Sequence, residues 1–243
     1  MPKRASPTVL ITRPIKAAQT LQQALETRGF ATMVEPMLSI ESCSPTPIVL
    51  EGVQAIVLTS ANAVPALTAK AKGVKIFSVG KATAEAARAV GCRDVIAGDG
   101  DGVALASLIT ATCRPEDGLL LHIGGEVVRE DLHRHLEAEG FHTKREVVYR
   151  AVPVRALSEQ LITAWQSREI SSVLLFSPRT AEVLVRLLIE HGLQGHVDRT
   201  VAICVSEAAA TPCRELDWGE ICLAPQPNQD ALIRTLEGSG ILC

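Results

Sequence analysis

The decamer LQQALETRGF at residues 21–30 returns at residues 132–141 as LHRHLEAEGF. Five positions are identical: Leu21/Leu132, Leu25/Leu136, Glu26/Glu137, Gly29/Gly140 and Phe30/Phe141. A chain that writes one helix end twice is constrained to fold as two versions of one plan. Each copy follows a short apolar run, TVLITRP or GLLLHIGGE, that reads as a buried strand leading through a loop into an amphipathic helix with leucines at i and i+4. Gly29 and Gly140 accept the left-handed cap that stops a helix, and Phe30 and Phe141 can fold back onto the last turn.

The likeness extends beyond the decamer. FATMVEPML and FHTKREVVY keep register, with Glu35 on Glu146 and Leu38 on Tyr149. AIVLTSANAVPAL (55–67) parallels SVLLFSPRTAEVL (172–184), placing Ser60 on Ser177, and two further strand–helix stretches pair likewise. Two copies of alternating strands and helices predict right-handed βαβ crossovers and two doubly wound parallel sheets, an α/β fold. After each copy's VEP or REV comes an extended stretch followed by proline-containing sequence. If these stretches form two antiparallel linker strands, the first strand–helix–strand completes the sheet built by the last third. The expected division is a discontinuous α/β domain of residues 1–36 plus 155–243, an inserted α/β domain of 43–147, and linker strands at 37–42 and 148–154.

Composition narrows the function classes. Hydrophobic residues make up 47% of the chain and aromatics only 3%, so the core is built from Ala, Leu, Val and Ile, which suits parallel sheets covered by helices. Net charge is −3 with no basic block, which argues against a nucleic-acid partner. No apolar run is long enough for a signal peptide or a membrane span, so a cytoplasmic protein with no membrane partner is expected. The seven cysteines, Cys43, Cys92, Cys113, Cys204, Cys213, Cys222 and Cys243, are odd in number and form no Cys-x-x-Cys pair, the pattern of free thiols. Cys204, Cys213 and Cys222 are spaced by nine, but they fall in strand-like and helix-like runs and read as coincidence rather than as a metal site. GDGDG at 98–102 lacks the later ligands of a calcium loop and the third glycine of a dinucleotide fingerprint. Asp99 and Asp101 leave one alternative, the metal-holding pair of a sugar-nucleotide transferase, and a two-domain ligand-binding sensor is another. His133 and His135 face different sides of a helix and do not make a metal pair.

The ordered set LITRP, LTSANAV, FSVG, GDGDGVAL, LHIGGE, EVVYRAVPV, LLFSPRTAEVL, AICVSEAAA and APQPNQDAL closely resembles the uroporphyrinogen-III synthase family across essentially the whole chain. The resemblance implies two flavodoxin-like domains joined by a two-stranded linker, with a cleft between them. It implies a lyase of porphyrin and haem biosynthesis that closes linear hydroxymethylbilane into uroporphyrinogen III, inverting the fourth pyrrole ring and releasing water. No cofactor and no metal are implied. The implied partners are hydroxymethylbilane itself and, transiently, the hydroxymethylbilane synthase that makes it. A monomer is expected.

The substrate carries eight carboxylates while the chain is slightly acidic, so local donors rather than global steering must hold it. Loops at the carboxyl ends of parallel strands lead into helix N-termini, whose free N–H groups favour anions by ~0.3–1 kcal/mol per exposed pairing. Thr12, Arg13, Thr59, Ser60, Asn62, Gly80, Lys81, Gly124, Gly125, Ser177, Arg179, Thr180 and Ser206 lie in such loops and are the candidate substrate-binding residues. The same Ser and Thr side chains are also ordinary helix caps, and Arg13 and Arg179 read equally as carboxylate clamps or surface ion-pair residues. Tyr149, the single tyrosine, matches by resemblance a tyrosine facing the cleft that would assist loss of the hydroxyl. Packed on the linker with a wet hydroxyl is its other reading. Glu207 departs from the family pattern of two adjacent hydroxyl residues, and facing an octa-acid it is expected to point away or to accept from a pyrrole N–H.

Overall fold

A computed structural model describes residues 8–43, 48–67, 69–98, 102–127 and 131–239. In chain order the elements are β1 (Thr8–Ile11), α1 (Ile15–Glu26), β2 (Ala31–Val34), β3 (Leu38–Ser42), β4 (Val53–Leu58), β5 (Lys75–Ser78), α2 (Lys81–Ala89), β6 (Val95–Ala97), α3 (Gly102–Thr112), β7 (Leu119–Gly125), α4 (Asp131–Ala138), β8 (Thr143–Pro153), α5 (Glu159–Gln166), β9 (Ile170–Leu175), α6 (Pro178–Glu190), β10 (Val201–Cys204), α7 (Glu207–Ala210), β11 (Glu220–Leu223) and α8 (Gln229–Gly238). They fall into two compact units, one within residues 1–39 and 152–243, the other within 40–151.

The first unit is built on a five-stranded sheet of order β11-β10-β9-β1-β2, in which every neighbouring pair is parallel. One face of that sheet packs Val9, Ile11, Leu174 and Ile203 against Leu21 and Leu25 of α1 and Leu232 and Leu236 of α8. The second unit carries a six-stranded sheet of order β3-β8-β7-β4-β5-β6, parallel from β8 to β6. Along β4, Ile56 and Leu58 enter one buried cluster, while Ala55 and Val57 enter another on the opposite face. That two-sided burial explains why the strand reads as a continuous apolar run rather than an alternating one. β3 lies at the edge beside β8, where the Cys43 N–H donates to the Val148 carbonyl.

Both repeated helix ends have the geometry their sequence calls for. Gly29 (φ +87°) and Gly140 (φ +83°) are left-handed. Beyond them the N–H of Phe30 bonds the Leu25 carbonyl and that of Phe141 bonds the Leu136 carbonyl, with both rings buried. Elsewhere the copies part. Residues Ala61–Ala66 form a 3-10 helix with Pro65 inside it, whereas the matching α6 runs thirteen residues; Pro65 has no N–H to give an α-helical ladder and crowds the preceding turn. α7 is four residues long and gives way to a 3-10 turn at Pro212.

Among the described residues no helix is long and apolar enough to cross a membrane. Six cysteines, from Cys43 to Cys222, are free thiols. No three His, Cys, Asp or Glu side chains among the described residues gather as a metal site, and Asp99, Asp101 and Cys243 lie outside the described residues.

Candidate active site

In the first unit, the strands β1, β9 and β10 end side by side at Thr12-Arg13, Ser177-Arg179-Thr180 and Ser206. Thr12 is fully buried and its hydroxyl donates to the Leu174 carbonyl (2.8 Å), so its side chain fastens two strands and is not offered to a ligand. Arg13 is different. Its guanidinium lies 4.4 Å over the Phe176 ring and donates to Gln229 Oε1 (3.0 Å). Burial pulls its pKa below the ordinary value, and no carboxylate pairs with it among the described residues. Arg179, half-buried at the start of α6, likewise has no acidic partner there. The ion-pair reading of both arginines thus finds no support.

The hydroxyls act as caps. Ser177 Oγ accepts from the Thr180 N–H (3.2 Å) and touches Thr180 Oγ1 (2.8 Å), and Ser206 Oγ accepts from the Ala209 N–H. A capping hydroxyl spends a lone pair and keeps its proton, so capping and donation to a ligand are compatible for Ser206. Glu207 is exposed and paired with Arg214 (2.5 Å), whose hydrogen bond lowers its carboxyl pKa. Its partner comes from the 3-10 turn that follows α7.

In the second unit, β7, β4 and β5 end side by side at Gly124-Gly125, Thr59-Ser60 and Gly80-Lys81, and Tyr149, within β8, is the partner of Gly125 at the end of β7. Ser60 Oγ caps the Asn62 N–H (3.2 Å). Gly80 is the cap position of α2 and supplies no side chain, leaving that helix end uncapped, with Lys81 at its first position. Neither α1, α2 nor α6 has an acidic residue in its first turn, while Lys16, Lys81 and Arg179 sit there. Basic residues at a helix N-terminus oppose the macrodipole, an arrangement that an anionic ligand relieves.

Gly124 and Gly125 need a different reading from their neighbours. Both are buried, and what presses on them is protein: a Cβ at Gly124 would lie 3.0 Å from His122 Nε2, and one at Gly125 would lie 2.7 Å from the Tyr149 ring. The doublet clears space for an imidazole and a phenol rather than lying open to a ligand. The Tyr149 ring leans on the core cluster of its unit, and its hydroxyl makes no hydrogen bond among the described residues. A phenol O–H held beside a strand end with its proton unspent is available to a substrate oxygen.

His122 is absent from the sequence-based candidates. It is 2% exposed, with Nε2 at 3.0 Å from Thr59 Oγ1 and Nδ1 at 2.8 Å from His133 Nε2. His133 Nδ1 lies 3.1 Å from Thr143 Oγ1, whose hydroxyl donates to Glu137 Oε1 (3.0 Å). Burial, aided by the His133 and Arg145 charges, lowers the pKa of His122 from 6.5 to about 4. Burial also lowers that of His133, with Glu137 opposing and Arg145 adding to the effect. Arg145 is tied to the carbonyls of Gly125 and Glu126, beside the same strand end. The signal was a lone histidine inside LLLHIGG, a polar residue in a strand apolar on both faces.

Such loop sets, one in each unit, are what a comparison with known proteins has to explain. A family model described as HEM4, Uroporphyrinogen-III synthase HemD, matches residues 19–234. The chain belongs to the uroporphyrinogen-III synthase family. Among solved structures, the uroporphyrinogen-III synthetase from Helicobacter pylori 26695 shares 14% identity at a TM-score of 0.63, covering 95% of this chain and 98% of that one. A mutant uroporphyrinogen III synthase from the extremely thermophilic bacterium Thermus thermophilus shares 17% identity at a TM-score of 0.52, covering 95% and 97%. At such identities these two likenesses speak for the fold. No curated protein matches the chain. For a uroporphyrinogen-III synthase the two-domain α/β architecture and the whole-length coverage agree, and the glycosyltransferase and sensor alternatives lose their ground.

Proposed function

We propose that the protein closes hydroxymethylbilane to uroporphyrinogen III with inversion of the fourth pyrrole ring and loss of water, without a cofactor. The family match over residues 19–234 carries this reading. The uncapped or base-bearing N-termini of α1, α2 and α6, with Arg13 and Arg179 lacking acidic partners among the described residues, suit a substrate with eight carboxylates. Ser60, Asn62, Lys81, Ser177, Arg179, Thr180 and Ser206 belong to those loops, and Arg13 adds a guanidinium already stacked and oriented. The chemistry asks for little acid strength, because a pyrrole stabilises the cation left when hydroxide departs. Tyr149 donates to that departing oxygen in this reading, and binding geometry directs closure to the inverted ring.

The two units are read as flavodoxin-like domains of residues 1–36 plus 155–243 and 43–147. Taking β1, β2, β9, β10 and β11 as strands one to five, the first sheet has the order 2-1-3-4-5 of that fold. The linker strands 37–42 and 148–154 are read as antiparallel. In support, Val154 N–H donates to Met37 O, Arg150 pairs with Glu41 (2.8 Å) and Cys43 N–H donates to Val148 O, one number falling as the other rises. A passing contact with hydroxymethylbilane synthase would shelter the linear substrate from spontaneous closure.

A coupled assay tests the activity. Porphobilinogen and hydroxymethylbilane synthase generate the substrate, and the oxidised products are resolved as uroporphyrin isomers. Isomer III in place of the spontaneous isomer I is expected, with Tyr149→Phe lowering kcat and Arg13→Ala raising KM. Isomer I alone from folded protein refutes the reading.

A further inference from the structure

The line Thr59–His122–His133–Thr143–Glu137 has a direction that its chemistry dictates. A carboxylate only accepts, so the Thr143 hydroxyl spends its proton on Glu137. Thr143 Oγ1 must then accept from His133 Nδ1–H, which leaves His133 Nε2 bare in a neutral ring. His122 Nδ1–H donates to that nitrogen, and His122 Nε2 accepts from the Thr59 hydroxyl. Both rings are kept neutral by burial and by Arg145 on the adjoining strand β8, with Glu137 the one acidic group among the described residues that acts on them, through His133.

The duplication supplies an internal control. In the other copy, Gln22 stands where His133 stands; Gln22 Nε2 donates to Thr32 Oγ1 (3.2 Å), and Thr32 donates to Glu26 (2.8 Å). The same Thr-to-Glu fastener therefore exists without histidine, and its donor has the direction derived for His133 Nδ1. The strand registers Val9↔Thr32 and Leu120↔Thr143 put Ile11 where the second copy has His122. Holding helix to strand needs only glutamine and isoleucine. The second copy instead has two histidines, and they extend the line by two rings to a hydroxyl at the carboxyl edge of the sheet.

We propose that this line is a proton exit from the reaction site, with His122 and His133 as positioning residues that act through Thr59. The assignment rests on the cyclisation proposed above. Ring closure forms a carbon–carbon bond at a pyrrole carbon and breaks its C–H bond, so a proton must leave. It passes to Thr59 Oγ1 as the Thr59 proton moves to His122 Nε2. The His122 Nδ1 proton moves to His133 Nε2, the His133 Nδ1 proton to Thr143 Oγ1, and the Thr143 proton to the Glu137 carboxylate, which returns it to water. Every intermediate group ends with the protons it began with. The same polarity makes Thr59 an acceptor toward the substrate at rest, fitted to a pyrrole N–H or C–H rather than to a carboxylate.

His133→Gln separates conduction from shape, because glutamine can accept from His122 and donate to Thr143 as Gln22 does to Thr32, yet passes no proton. Measured alongside Glu137→Gln and Glu137→Asp, it is expected to lower kcat by about a hundredfold, the low end of what proton-transfer groups contribute. KM and thermal midpoint should hold, and Glu137→Asp should recover most of the rate that Glu137→Gln loses. Unchanged kcat in both glutamine variants overturns the proposal. If His133→Gln fails to fold, the exposed Glu137→Gln decides alone. Nitrogen-15 NMR of the wild type adds a readout independent of activity, expected to find both imidazoles neutral with Nδ1 protonated at pH 7; the opposite tautomers overturn the derived direction. If the wild type makes no isomer III, the cyclisation reading falls and the exit role falls with it, while the tautomers still report whether the line has this polarity.

Discussion

A Cβ at Gly125 would stand 2.7 Å from two atoms of the Tyr149 ring, closer than carbon atoms tolerate. Gly125→Ala is therefore expected to cost about 1–3 kcal/mol in urea unfolding, the usual penalty of overpacking, and to displace the phenol and lower kcat. In a Tyr149→Ala background the same change should cost far less stability; equal costs in both backgrounds would refute the contact. His122 makes a second prediction. Its folded pKa of about 4 lies below the ordinary 6.5, so between those values the unfolded chain holds a proton that the folded chain refuses. Stability from this group is complete above pH 6.5 and declines as pH falls toward 4, by about 3 kcal/mol in all. His122→Ile, the residue the other copy carries, should flatten that slope in unfolding experiments run across the window. An unchanged slope would assign the acid sensitivity elsewhere. Residue chemistry of this kind was barely legible in the sequence. His122 and Thr59 are far apart in the chain, and no pattern announces that β7 and β4 end side by side. Thr12 sits where the loop pattern put it, while Gly124 and Gly125 are the last residues of β7 rather than loop, and the use of all three is internal, because a strand end must satisfy its own packing before it serves a ligand.

At the scale of elements the sequence speaks more clearly, because caps and periodicity are local. Leu21, Leu25 and Phe30 pack together in one core cluster, and Leu132, Leu136 and Phe141 in another. The glycines between them have φ near +85°. A Cβ at Gly29 would meet nothing within 4 Å, and one at Gly140 would meet only Pro115 at ordinary contact. The penalty of Gly29→Ala or Gly140→Ala is thus backbone strain without a clash, about 1–2 kcal/mol each. The two should be nearly equal in chemical denaturation, with Asn intermediate in both; a large inequality would mean that the repeated motif no longer does the same job twice. The element pattern is least readable where proline interferes. ANAVPAL and PRTAEVL align as sequence, yet Pro65 turns one into a 3-10 segment while Pro178, at the first turn of α6, is harmless. Alignment reports kinship, and the position of a ring that lacks an N–H decides the helix.

On the scale of the whole molecule, the repeat makes the strand plan legible, and chain order decides how the plan is assembled. In the first unit β1 lies between β9 and β2, so its sheet draws its strands from both ends of the chain. In the second unit β4 to β8 are contiguous in sequence and have buried clusters on both faces of β4. This asymmetry predicts different behaviour of fragments. A fragment of residues 40–151 retains β4 to β7 whole, β8 up to Ala151, the last three residues of β3 and both clusters, and should unfold cooperatively in urea by circular dichroism. A fragment of 152–243 retains β9, β10 and β11 but exposes the unpaired side of β9 where β1 belongs. Val173, Leu174 and Leu175, all fully buried in the intact chain, would then lie on an open strand edge, the arrangement that invites aggregation. Added residues 1–39 restore β1, α1 and β2, and with them Leu21, Leu25 and Phe30 over the bare face. Cooperative folding of 152–243 is accordingly expected only with 1–39 present. If 152–243 folds cooperatively alone, the leading strand–helix–strand is an addition to that sheet and not part of its foundation.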